Sequence, residues 1–115
     1  MRIVHRSDGT SRTLADRVER VESWFAKGRG LMFRRSVPED YALVFGFDRV
    51  ANRRLHMVCV PFPIDAVWLR GERVERVECL SAWTGRGAAR ADTVIELPMG
   101  AAAAVAVGDH LVVEE

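Results

Sequence analysis

The sequence predicts a mainly β fold, a compact two-sheet sandwich or distorted barrel of about eight short strands with two short helices. Short apolar stretches recur between turn signals every 8–12 residues, the spacing expected of such an architecture. Many of these stretches alternate apolar and polar residues, the period of a half-buried strand. Only two segments, 23–34 and 100–107, show the spacing or propensity of a helix.

From the start, "RIVHR", "SDGTS" and "RTLADRVERV" read as strand, turn and strand, with Asp8-Gly9 supplying the positive φ of a tight hairpin. From Ser23, Trp24, Gly28, Leu31 and Arg35 fall at helical spacing and Ser23 can cap the first turn. Gly28 and Gly30 each weaken that helix by about 1 kcal/mol relative to Ala. Pro38 sets a corner, "YALVFGF" (41–47) is a strand, and "DRVANRR" (48–54) is a polar loop. "LHMVCV" (55–60) and "IDAVWL" (64–69) are strands divided by Pro61 and Pro63, which cannot donate to a ladder. "VERVECL" (74–80) follows, and the three-residue step from Val74 to Val77 predicts a bulge. "SAWTGRGAARA" (81–91) reads as the longest loop, and "DTVIELP" (92–98) and "DHLVVEE" as strands. Between them "GAAAAVAV" (100–107) is rich in helix formers and stopped by Gly108.

A length of 115 residues suits one domain, 1–115, with a single core. Seventeen basic and sixteen acidic residues leave a net charge of +1, so no whole-molecule field recruits nucleic acid, membrane or acidic substrates. Nucleic acid and membrane partners are therefore not expected. All the basic residues but Lys27 are arginines, scattered along the chain. The start has no signal-like apolar region and no apolar run approaches the roughly 20 residues of a membrane helix, so a cytoplasmic location is expected. In that reducing setting Cys59 and Cys79 read as two small buried hydrophobes rather than a disulfide.

Candidate chemistry is sparse. "KGRGLMFRR" lacks the spacing of a P-loop or a dinucleotide fingerprint, although its glycines and arginines could form an anion nest. On a strand His56 and Cys59 point to opposite faces, and with three histidines in all no metal and no cofactor is expected. No nucleophile elbow is present. Trp68, mid-strand, reads as core. Trp83 is the better surface platform, lying beside Thr84 and Arg86 in a Gly-rich loop. Asp65 interrupts an apolar strand, and a buried carboxylate has to be paired or accept several N–H groups. A cap on the Pro63 turn, a pair with an arginine, and a functional acid are its three readings.

The order of "GLMFRRSVPEDYALVFGF", "HMVCVPFPIDAVWL" and "ADTVIELPMG" resembles the family known as domain of unknown function 192. The likeness spans roughly 22–113 and rests on Gly30 to Arg34, the Pro38-x-Asp40 turn, Met57, Pro63-x-Asp65, Glu96-Leu97-Pro98-x-Gly100 and Gly108-Asp109. It implies a mainly β, two-sheet fold with short helices and no established activity. Many relatives carry Trp-Met-Lys-Asn-Thr where this chain has His56 to Val60, so a site built on that Lys-Asn-Thr group would be absent or altered.

Three kinds of function remain open at this point. The first is a binding module for a small polar or anionic ligand, with Arg34, His56, Asp65, Trp83, Thr84 and Arg86 as candidate contacts. The second is a hydrolase-like enzyme using Asp65 or Glu96 as base with His56 nearby. The third is a protein-interaction domain. Whether it is an enzyme, and its oligomeric state, stay open.

Overall fold

A computed structural model describes residues 1–21 and 36–115. The described chain is mainly β, and its strands join one eight-stranded sheet rather than two packed sheets. They are β1 (Arg2–Ser7), β2 (Thr10–Ala15), β3 (Arg17–Val21), β4 (Tyr41–His56), β5 (Ile64–Arg70), β6 (Arg73–Leu80), β7 (Arg86–Pro98) and β8 (His110–Glu114), in the order β2-β1-β8-β6-β5-β7-β4-β3. β3 and β4 run parallel, and the other pairs among the described strands are antiparallel.

The Asp8-Gly9 hairpin forms as expected. Ser7 pairs with Thr10, and Asp8 and Gly9 have φ of 48° and 79°, the left-handed pair that a two-residue turn between twisted strands requires. The predicted strand over "RTLADRVERV" instead breaks at Asp16. β2 lies at one edge of the sheet and β3 at the other, joined by that single residue, so the sheet must curl until its edges meet. The corner is held by the amides of Asp16 and Arg17, which both donate to the Asp40 carbonyl at 3.1 and 3.0 Å.

The curl explains how one sheet does the work of the expected sandwich. Along β5, Val67 and Leu69 point to one face and Ile64, Ala66 and Trp68 to the other, and both faces are buried. The first face packs with Ile3, Ala15, Ala42, Val44, Ile95, Leu97 and Leu111. The second packs Trp68 with Leu43, Phe45, Met57, Val60, Leu80 and Val94. Trp68 is fully buried, as its mid-strand place predicts. The predicted bulge is also present: Trp68 pairs with Arg76 but Leu69 with Val74, leaving Glu75 as the extra residue.

Segment 48–54, expected as a loop, lies within β4. The ladder with β7 runs to Gly46↔Thr93 and resumes at Ala51↔Ala91, so 47–50 bulge opposite Asp92. Arg53 braces this bulge, stacking its guanidinium 3.8 Å from the Phe47 ring centroid and donating to the Arg49 carbonyl at 2.7 Å. Beyond the bulge the β4–β7 ribbon lies across Trp68, whose indole N–H donates to the Arg53 carbonyl at 2.9 Å, while Arg76 donates to the Ala88 carbonyl at 2.8 Å. The loop expected over 81–91 is accordingly only 81–85, and Met57 to Pro63 form turns rather than a continued strand.

The helix expected over 100–107 is a succession of turns. Ala101, Ala103 and Val105 donate to the carbonyls three residues back, but the amides of Gly100 and Ala102 go to Asp65 and that of Ala106 to Asp109. With those donors taken elsewhere, and Gly100 at φ 92°, no helical ladder can propagate. The other expected helix, 23–34, falls outside the described residues.

Gly87 sets how closely the ribbon seats on Trp68. A Cβ there would lie 2.7 Å from Glu78 Oε2 and 2.8 Å from Trp68 Cη2. The buried indole cannot yield as a surface side chain does, so Gly87→Val is expected to cost about 1–3 kcal/mol through overpacking. A urea midpoint equal to that of the parent protein would show that the ribbon can lift without penalty.

Candidate functional site

The ribbon's outward face gathers part of the expected site. His56 pairs with Arg86, Leu55 with Gly87 and Arg54 with Ala88. Alternation sends Leu55 inward, against the core around Trp68, and leaves Arg54, His56, Arg86 and Ala88 on the outer side. These six residues line an open cavity of about 460 Å³. Arg54, His56 and Arg86 are exposed. Among the described residues, no carboxylate stands within ion-pair distance of Arg54 or Arg86, whereas Arg2, Arg6, Arg17, Arg70, Arg73 and Arg76 each have one.

Two loops border this end of the ribbon and are tied together. Met57 N–H donates to the Gly85 carbonyl and Trp83 N–H to the Val60 carbonyl, both at 3.0 Å. Trp83 is 59% exposed, as expected of a surface platform, and Val58 on the other loop is 54% exposed. Cys59 and Trp83 hold φ of 61° and 66°, conformations that side-chain-bearing residues adopt at a cost. Neither Trp83 nor Thr84 lines the cavity.

Asp65 lies elsewhere. Its Oδ2 accepts the amides of Gly100 and Ala102 at 3.0 and 2.9 Å, so it caps the turns after β7 rather than the Pro63 turn. Register places Asp65 level with Leu97 and Cys79, and Glu96 level with Ala66 and Leu43. Asp65 and Glu96, both 6% exposed, thus face opposite sides of the sheet and do not converge as a catalytic pair. Arg34, another candidate contact and one arginine that could pair with Asp65, lies outside the described residues.

Both cysteines are free, and the expectation of two buried hydrophobes fails: Cys59 is half-buried and Cys79 exposed. Loss of hydration, then the charge and hydrogen bond of Asp65, push the Cys79 thiol upward. Among the described residues, no group of three or more His, Cys, Asp or Glu is placed to hold a metal ion, and no helix is long and apolar enough to cross a membrane.

A second polar cluster went unread in the sequence because its members lie about a hundred residues apart. Buried His5 brings Nε2 to 2.8 Å from Asp109 Oδ2, and Arg12 Nε donates to its Nδ1 at 3.3 Å. With Nδ1 accepting, Nε2 carries the proton and donates to Asp109. Ser7 Oγ donates to Asp109 Oδ1 at 3.1 Å and the Ala106 amide to Oδ2 at 3.0 Å. The contacts to His5 and the Ala106 amide hold the Asp109 carboxyl below its ordinary 3.8. The cluster stitches β1, β8 and the turns together.

With this geometry in place, the family model of domain of unknown function 192, described as "Uncharacterized ACR", matches residues 3–113. The chain belongs to that family. No curated protein matches it. Two solved structures share the fold of this domain of unknown function 192 chain. A Novosphingobium aromaticivorans DSM 12444 protein of unknown function is 18% identical with a TM-score of 0.84, over 97% of this chain and 84% of its own. A Sinorhizobium meliloti 1021 protein, called a "putative transcription regulator", is 21% identical with a TM-score of 0.83, over 96% and 91%. At such identities the likeness concerns the fold alone.

Two outcomes test the carboxylates. Asp65→Ala strands two amides and is expected to cost about 2–4 kcal/mol in urea unfolding, and Asp65→Asn is expected to speed reaction of Cys79 with a thiol reagent near pH 8 by restoring thiolate. An unchanged rate would remove Asp65 from the causes and leave loss of hydration alone. For Asp109, a lowered folded value means stability present above 3.8 and lost as pH falls through the lower folded value. Melting temperatures of Asp109→Asn should therefore fall less steeply with acid below about pH 4 than those of the parent protein.

Proposed function

We propose that this protein is a binding module for a small anionic ligand with an apolar portion, held on the outer face of the β4–β7 ribbon. What supports this reading is the convergence of Arg54, His56 and Arg86 on one cavity whose lining also includes Leu55, Gly87 and Ala88. Planar guanidinium groups suit bidentate contacts with carboxylate or phosphate. The absence of a carboxylate partner among the described residues leaves their donors available to a ligand. His56 adds a neighbouring nitrogen, although its Nδ1 already accepts from the Val58 amide at 3.3 Å, so Nε2 is the atom it offers.

A hydrolase reading finds less support. Asp65 Oδ2 is occupied by two amides, and Glu96 lies on the opposite face of the sheet from Asp65. The binding reading needs no reacting pair.

Phenyl phosphate, which joins a dianion to an apolar ring, is the probe. Isothermal titration is expected to show binding that weakens by about 10-fold or more in Arg86→Ala and Arg54→Ala, the size of one charge-assisted hydrogen bond, with Trp83→Ala having the smaller effect. Loss of binding in Trp83→Ala with both arginine variants intact would place the ligand on the loops instead. No heat with the parent protein would remove the reading.

A further inference from the structure

The face that carries Arg54 and Arg86 continues past the cavity. Asn52 pairs with Arg90, and alternation puts both on the same outward surface as Arg54, His56 and Arg86. All five are exposed. At about 3.4 Å per residue, Arg86 and Arg90 stand roughly 14 Å apart along β7, with Arg54 between them on the neighbouring strand. Arg90, like the other two, has no carboxylate within ion-pair distance among the described residues. The line ends beside the loop that presents Trp83, an indole 59% exposed.

We propose that the anion taken by this face is polymeric: a single nucleic-acid strand, its phosphates along Arg86, Arg54 and Arg90 and a base stacked on Trp83. The proposal rests on the anion-binding reading above and deepens it. A positive track beside an aromatic platform is the chemistry that holds a single strand without reading its sequence. The linear placement decides between polyanions. A bilayer favours cations ringed about an apolar tip, but Arg90 recedes from Trp83 and Val58 by the length of the ribbon. The net charge of +1 averages this patch away, and its field acts only within a Debye length of about 8 Å at physiological salt. Binding is accordingly short-ranged and salt-sensitive.

The test uses fluorescence anisotropy of a dye-labelled oligothymidylate of about 12 nucleotides, within the span of sites of this kind. Three phosphate contacts on a single strand predict an affinity that falls about 20-fold between 50 and 200 mM salt. Arg90→Glu and Trp83→Ala should each weaken the oligonucleotide at least 5-fold, and Arg90→Glu should leave phenyl phosphate within about 2-fold of its binding to the parent protein; far-ultraviolet circular dichroism checks that these surface variants fold. Phenyl phosphate binding without oligonucleotide binding, or an inert Arg90→Glu, overturns the polymer and spares the small-anion reading. Failure of both probes removes both. Binding to phosphatidylserine vesicles but not to the oligonucleotide overturns the proposal in favour of a lipid surface.

Discussion

The carboxylate of Asp65 sits where three parts of the molecule meet. It belongs to β5, at the centre of the sheet, and reaches across to the amides of Gly100 and Ala102. Those amides would otherwise face an apolar layer without partners, a cost that buried N–H groups rarely bear. By taking them, Asp65 fixes the turns that carry Ala102 and Val105 onto one face of the sheet. The same turns deliver the Ala106 amide and Asp109 to the cluster with His5, so the entry into β8 is set from there. One buried acid thereby connects the centre of the sheet to the strand that receives the N-terminal hairpin.

The other face depends on a bend. An unbroken β4–β7 ribbon would continue straight past the core and leave Trp68 exposed. The bulge at 47–50 turns it, Gly87 lets it descend, and two hydrogen bonds, from Trp68 to Arg53 and from Arg76 to Ala88, fasten it. Covering Trp68 has a second effect. The inner residues of the ribbon are committed to the core, so its arginines at 54, 86 and 90 are held outward on a rigid backbone. The candidate site is the reverse side of a packing solution.

What could be read beforehand was local. Asp8-Gly9 announces its hairpin, the Val74–Val77 spacing its bulge, and the settings of Trp68 and Trp83 their opposite fates. What could not be read depends on distant partners. Asp16 breaks a segment that reads as one strand, because β2 and β3 find neighbours at opposite edges. The alanines of 100–107 favour helix on their own, and the capture of amides in this segment by Asp65 and Asp109, with Gly100 in the left-handed region, prevents it. Arg90 lay in what reads as a loop, and its place beside Asn52 follows from a register that no single segment encodes. The candidate contacts His56 and Arg86 were legible, whereas the cavity they share with Arg54 was not.

The placement of β8 between β1 and β6 bears on how the chain assembles. Arg2 meets Glu114 across 112 positions of sequence, and among the described strands β8 is what pairs the β1–β2 hairpin to the rest of the sheet. The β1–β2 hairpin can close early, since its turn is local, but it has no strand to dock on until β8 has settled against β6. Closing so long a loop is entropically costly and slow. A hairpin waiting to dock would offer an open edge, and arginines such as those at positions 2 and 6, exposed in the folded chain, are the kind of charge that discourages pairing of like edges.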